Sequence, residues 1–212
     1  LDTGPDGTLE LAIDGYGPRA LGNRSIIADP RSAEMKEIVN TKIKFREPFR
    51  PFAPVVTCED APTYFAYPNV ENAYLPRFML AVSPIHEDKL DAAQATTHAV
   101  ATTGQAVAAP GRRRGTKRTA AAIRTAASRA PTAEGGTGRL QTIDRETNPR
   151  YYELVRRFGQ ATGVPILMNT SFNLRGEPIV TTPANAWWTF SNSGIDWLVL
   201  GPYLIGKDGQ RT

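Results

Sequence analysis

Short apolar runs alternate with amphipathic stretches over both ends of the chain, a pattern that predicts a mixed α/β domain. Strands are expected at Leu9–Ile13, Lys42–Arg46, Ala53–Thr57, Phe78–Val82, Leu140–Ile143, Val164–Met168 and Trp197–Ile205. Pro149–Thr162 places Tyr152, Val155, Phe158 and Gly159 near one helical face, and Gly163 follows at a natural stop. Thr182-Pro183 opens a second helix, which Gly194 ends. The fold class expected is α/β (α+β), a twisted mixed sheet flanked by helices.

The pattern lapses over residues 99–138, which hold twelve alanines and no aromatic residue. Apart from a possible short helix at Lys117–Arg129, no apolar stripe repeats there, so the segment can bury little surface against the entropy of ordering it. It reads as a basic, disordered insertion, or an out-of-frame stretch, within one domain covering 1–212. It also accounts for the charge. Seven of its residues are basic and one, Glu134, is acidic, whereas the remainder carries 18 basic and 20 acidic residues. The overall +4 therefore belongs to one segment and is weak support for nucleic-acid binding.

Other compositional features narrow the field. No run of about 20 apolar residues suggests a membrane span. Leu1 is not a start residue, and the opening lacks the layout of a signal peptide, so the chain reads as a fragment. A single cysteine, Cys58, permits no internal disulfide, in keeping with a reducing cytoplasm. With only His86 and His98 besides, no His/Cys metal site is expected.

Three blocks carry candidate chemistry. In GPRALGNRSIIADPR, residues 17–31, Arg19 and Arg24 offer planar forks for phosphate or carboxylate oxygens, Ser25 adds a hydroxyl, and the glycines allow close approach. An ordinary glycine turn with surface arginines would look the same. In NTKIKFREPFRPFAP, residues 40–54, Lys42, Lys44 and Arg46 alternate with Ile43 and Phe45, which on a strand places three cations on one face. Such mutual repulsion is better explained by a bound polyanion than by folding, although a solvated edge strand is the plainer reading. Prolines at 48, 51 and 54 stiffen the segment that presents Arg50. In GVPILMNTSFNLRGEPIV, residues 163–180, an apolar strand ends in Asn169, Thr170, Ser171 and then Arg175, placed to face a ligand beyond the strand end or simply to cap the loop.

In this order GPRALGNRSI, KFREPFRPFAP, TGRLQTI at 137–143, GVPILMNTSFNLRGEPIV and the closing LVLGPYLIGK resemble the C-terminal domain of the carbamoyltransferases that modify nodulation signals, cephamycins and aminoglycosides. The resemblance is dense over 15–80 and 139–207. It implies a fold similar to threonylcarbamoyl-AMP synthase and a biosynthetic transferase whose basic cavity makes carbamoyl-adenylate from carbamoyl phosphate and ATP, with Mg²⁺ on the phosphates. On that resemblance Lys44, Arg139 and Arg19 are the catalytic candidates, and Arg24, Ser25, Arg46, Arg50, Asn169, Thr170, Ser171 and Arg175 bind ATP or carbamoyl phosphate. No metal ligand is assigned in this chain. The relatives have a large N-terminal domain with a metal-binding His/Asp set, where iron is expected, that passes the carbamoyl group to a sugar hydroxyl.

The chain departs from the relatives at a short His-x-Asp-Gly-Thr-x-Arg element. Thr97-His98-Ala99 resembles its start and Gly136-Thr137-Gly138-Arg139 its end, with the alanine-rich segment between. An inactive remnant is therefore one alternative to an active domain. An RNA-binding module, suggested by Arg112–Arg114, is another, disfavoured because the basic segment has no stacking aromatics.

Overall fold

The computed structural model describes residues 2–3, 9–10, 19–32, 34–47, 50–86 and 137–207. In chain order these form β1 (Asp2–Thr3), β2 (Leu9–Glu10), β3 (Ser25–Ala28), α1 (Met35–Ile38) continuing into a π-helical turn (Val39–Ile43), and β4 (Ala53–Thr57). There follow α2 (Ala61–Tyr64), α3 (Tyr74–Arg77), β5 (Ala81–Pro84), β6 (Thr137–Ile143), α4 (Pro149–Thr162), β7 (Leu167–Ser171), α5 (Pro183–Ser191), β8 (Trp197–Leu200) and β9 (Tyr203–Gly206).

Five strands make one mixed sheet in the order β3-β7-β4-β6-β5, flanked by helices. Only β4 and β6 run parallel; β3 and β4 are antiparallel to β7, and β5 to β6. Central β4 is buried at all five positions, which is why APVVT shows no alternation of polar and apolar residues. Burying a valine such as Val55 or Val56 contributes about 1.5–3 kcal/mol.

Strand alternation sorts the side chains onto two faces. On one face Ile26, Met168, Val56 and Leu140 enter two apolar clusters, one with Val39, Ile43, Phe172 and Phe190, the other with Ala61, Phe65 and Ile166. On the other face, Val55, Ile143 and Leu167 pack against Tyr151, Tyr152 and Val155 of α4. That helix starts with Asn148 accepting a hydrogen bond from the Tyr151 N–H and ends at Gly163 with φ 75°, where a glycine adopts the left-handed conformation without a Cβ clash. α4 covers only part of its face. Asn169, Gln141, Arg139, Ser25 and Ser171 lie on the remainder, by register with Ala53, Val55, Val82 and with one another.

The expected strand at 53–57 is present with the same bounds, that at 140–143 starts earlier, at Thr137, that at 164–168 is displaced to Leu167–Ser171, and that at 197–205 is divided into the β8–β9 hairpin. The expected strand at 78–82 is displaced to Ala81–Pro84, and of Leu9–Ile13 only residues 9–10 are described. Lys42–Arg46 is not a strand. Met35, Ile38, Val39 and Ile43 recur at helical spacing, and the packing of Val39 and Ile43 into the core carries the helix through Ile43. Its three cations consequently do not share a face: Lys42 is exposed, Lys44 is buried and Arg46 lies between. Ser25–Ala28, read from sequence only as part of a turn, is an edge strand.

Thr137 and Gly138, assigned from composition to the 99–138 segment, pair with Pro84 and Ser83 as the start of β6. The rest of that segment, the Lys117–Arg129 helix and Thr97-His98 lie outside the described residues.

The turn before β3 is tightly constrained. Leu21 and Gly22 both have positive φ, 51° and 101°, and a Cβ on Gly22 would stand 2.1 Å from the Tyr151 ring. Gly22→Ala is expected to lower stability by at least about 2 kcal/mol through backbone strain and overpacking. Urea unfolding of both proteins measures the difference, and an unchanged midpoint would contradict the packing described.

Candidate functional site

Because β7 runs opposite to β3, β4 and β6, its C-terminal end lies beside their N-terminal ends. The segments entering those three strands bring Arg19, then Lys44, Arg46 and Arg50, towards one edge, where Arg139 stands near the start of β6 and the β7 loop begins. The site is thus built mainly at the N-termini of β3, β4 and β6, with β7 adding a carboxyl end; the carboxyl end of β5 lies at the same edge, Pro84 opposite Thr137.

Lys44 is the most buried of these cations, 5% exposed. Its ammonium donates to the Ser171 carbonyl at 2.6 Å, Asn173 Oδ1 at 2.7 Å, the Asn173 carbonyl at 2.8 Å and Ser171 Oγ at 3.3 Å. Burial, and next the Arg46 charge, lower its pKa to about 7, while Glu177 opposes the change. The close oxygens favour the charged form as well, since an ammonium brings three donors to them and a neutral amine only two. Phe45 follows with φ 48°, a left-handed turn that separates Lys44 from Arg46. Arg46 donates from Nε to Asn40 Oδ1 at 2.7 Å and lies 4.9 Å from the Phe52 ring centroid, which fixes the guanidinium plane.

The arginines repel one another. Burial first, then the charges of Arg50 and Arg139, lower the pKa of Arg46, with Glu47 opposing. Burial followed by Arg19 lowers that of Arg139. Glu47 pairs with Arg50 at 3.1 Å, a half-exposed contact of small energetic weight. Its own backbone hydrogen bond holds its carboxyl below the usual range, with further help from Arg50, Arg175 and Arg46. Among the described residues Arg19 Nε and Arg46 Nη2 are buried without a hydrogen-bond partner. Buried unpaired donors in a field of like charge have the chemistry of an anion site.

Other candidates fall around this group in different ways. Ser171 Oγ donates to Asn173 Oδ1 at 2.6 Å, completing the knot around Lys44. Ser25 Oγ accepts from the Gly22 N–H at 2.9 Å and supports the Arg19–Arg24 turn. Arg24 points to the other side of the sheet, where it donates to the Val180 carbonyl at 3.4 Å. Thr170, paired with Ile26, is on the opposite face from Asn169 and Ser171. Arg50 and Arg175 are exposed; Pro48 and Phe49 lie outside the described residues, so the stiff segment around Arg50 is described only from Arg50 onward.

Gln141, not singled out from sequence, is 1% exposed and accepts from Asn169 Nδ2 at 2.6 Å. The available signal was a long polar amide set between Leu140 and Ile143 in TGRLQTI, a strand buried at every position from Leu140 onward. Among the described residues no group of three or more His, Cys, Asp or Glu could hold a metal ion. No described helix is long and apolar enough to cross a membrane.

The family profile for the carbamoyltransferase C-terminus matches residues 12–207. The chain belongs to the carbamoyltransferase C-terminal family. This carbamoyltransferase C-terminal domain is 41% identical over 192 residues to nodulation protein NolNO of Sinorhizobium fredii, a span covering 91% of the chain and 23% of that protein. It is 40% identical over 192 residues to nodulation protein NolO of Bradyrhizobium diazoefficiens, covering 91% and 28%. Nodulation protein U of Rhizobium tropici is 33% identical over 161 residues, 76% of the chain and 21% of that protein. The domain therefore spans only about a quarter of the length of these relatives.

Lys44 provides a test of the site's construction. The unfolded chain keeps this proton up to its ordinary 10.5, while the folded domain releases it near 7. Between those values the unfolded state binds more protons, so Lys44 contributes a stability that rises with pH across the window and is lowest below it. Relative to Lys44→Met, the wild-type denaturation midpoint should climb over that range. The variant should also be less stable by about 1–3 kcal/mol, because its oxygen partners lose their donor. Identical pH profiles for the two proteins would remove Lys44 as the titrating group.

Proposed function

We propose that this domain binds ATP and carbamoyl phosphate and forms carbamoyl-adenylate, which the remainder of a longer carbamoyltransferase delivers to a hydroxyl of an acceptor sugar. The observation that carries the reading is the run of mutually repelling cations Lys44, Arg46, Arg50, Arg139 and Arg19, drawn from three separate strand entries. Family membership and the nodulation relatives support the carbamoyl chemistry.

Two polyanions must be brought together for this reaction, and fixed cations reduce the repulsion between them and stabilise charge in the transition state. Water converts carbamoyl phosphate to carbamate and phosphate. A carbamate oxygen then bonds to the α-phosphorus of ATP, and the bond to pyrophosphate breaks. Arg139 and Arg19 grip phosphate oxygens through planar forks, and the partnerless Arg19 Nε and Arg46 Nη2 offer donors already desolvated. Lys44 acts as a point charge beneath them while holding the β7 loop. The described residues supply no carboxylate cage for Mg²⁺, so the oxygens for that ion would come from the two phosphorylated ligands.

Carbamoyl-phosphate-dependent release of pyrophosphate from ATP tests the proposal. Arg139→Ala is expected to lower the rate by about 100-fold, the scale of losing one preorganised charge donor. Pyrophosphate release that ignores carbamoyl phosphate, or its absence together with ATP binding, would overturn the reaction; the second result is that of a nucleotide-binding remnant. Steeply salt-dependent RNA binding in place of ATP binding would replace the small-molecule reading altogether.

A further inference from the structure

Cations can grip the phosphate end of an acyl phosphate, but they cannot tell a carbamoyl group from an acetyl group. The two differ in a neutral NH₂ in place of a methyl, and guanidinium and ammonium groups have no lone pair to accept from it. Recognition of the NH₂ requires a neutral oxygen acceptor on the same face as the cations. Two nearby acceptors are already engaged, since Asn173 Oδ1 receives hydrogen bonds from Lys44 and Ser171, and Ser171 Oγ receives one from Lys44.

Asn169 Oδ1 is different. Asn169 is 1% exposed, and this oxygen is buried with no hydrogen-bond partner among the described residues. Its direction is set from the other end of the amide, where Nδ2 donates to Gln141 Oε1 at 2.6 Å. The two residues belong to strands on either side of β4, Asn169 in register with Ala53 and Gln141 with Val55. They meet across β4 because position 53 is an alanine, short enough to leave room above it. Gln141 lies two residues beyond Arg139, on the same face of β6. Tyr151 also has a buried hydroxyl without a partner among the described residues, but its ring belongs to the apolar cluster beneath α4. An orphaned amide oxygen on the sheet face that also carries Arg139 and Ser171 costs stability unless a donor is delivered to it.

We infer that Asn169 Oδ1, oriented by Gln141, accepts a hydrogen bond from the carbamoyl NH₂ and so selects carbamoyl phosphate over other acyl phosphates. This rests on the proposed function for the identity of the phosphorylated ligand. Asn169 is the specificity-determining residue and Gln141 the positioning residue, because Gln141 acts only through the Asn169 amide.

The test is calorimetric binding of freshly dissolved carbamoyl phosphate, acetyl phosphate and inorganic phosphate to the wild-type chain, Asn169→Leu and Gln141→Leu. The wild type is expected to prefer carbamoyl over acetyl phosphate by about 10-fold or more, the scale of one unpaired polar group in a buried site. Both variants should bind the two acyl phosphates about equally while keeping inorganic phosphate affinity within about 2-fold of wild type. A wild type without preference, or variants that keep it, would overturn the inference and leave the phosphate site standing. Variants that lose inorganic phosphate along with carbamoyl phosphate would assign both residues a purely structural role and overturn it equally. A wild type that binds none of the three would remove the inference and the proposed function together.

Discussion

The ammonium of Lys44 sits where the entry to β4 meets the exit from β7, and it holds the two together through oxygens of Ser171 and Asn173. The next cation of the site comes from the same stretch of chain. Arg46 follows two residues later, turned aside by the left-handed Phe45 and laid against Phe52. Arg139 lies across the sheet at the beginning of β6. A charge this deeply placed must be surrounded by oxygen, and the β7 loop folds back on itself to supply it. The price is a loop with little freedom, which suits a surface that must present donors at fixed positions.

Electrostatics and sheet direction act together here. Antiparallel β7 presents its carboxyl end among the amino ends of β3, β4 and β6, with the carboxyl end of β5 beside β6, so five strand ends meet at one edge although they come from distant parts of the chain. α4 covers the rest of that face with Tyr151, Tyr152 and Val155, leaving a polar quarter that no helix fills among the described residues. The opposite face is occupied by apolar clusters, and this places Arg24 and Thr170 away from the other candidates despite their position within the same motifs.

Features governed by local chemistry were legible in the sequence. α4 runs over Pro149–Thr162 and stops at Gly163, and Thr182 caps α5 through its hydroxyl, because a cap or a left-handed glycine acts within one turn. Ala53–Thr57 announced itself by being apolar throughout. The alternation in KIKFR misled, since a period of two over five residues competes with the longer helical spacing of Met35, Ile38, Val39 and Ile43, and the core rewards the latter. Ser25–Ala28 was hidden because its pairing partners in β7 lie 140 or more residues away in the chain. The Asn169–Gln141 contact was unreadable for a related reason: it spans a third strand, so neither local pattern nor adjacent-strand pairing implies it.

The β5–β6 pairing sets Pro84 opposite Thr137, so the chain leaves the sheet and re-enters it at neighbouring points. Closing such a gap costs only logarithmically more as the excursion lengthens. Because that cost depends so weakly on the number of residues in between, the β5–β6 ladder is a constraint set by the sheet itself, through Ala81–Pro84 on one strand and Thr137–Leu140 on the other.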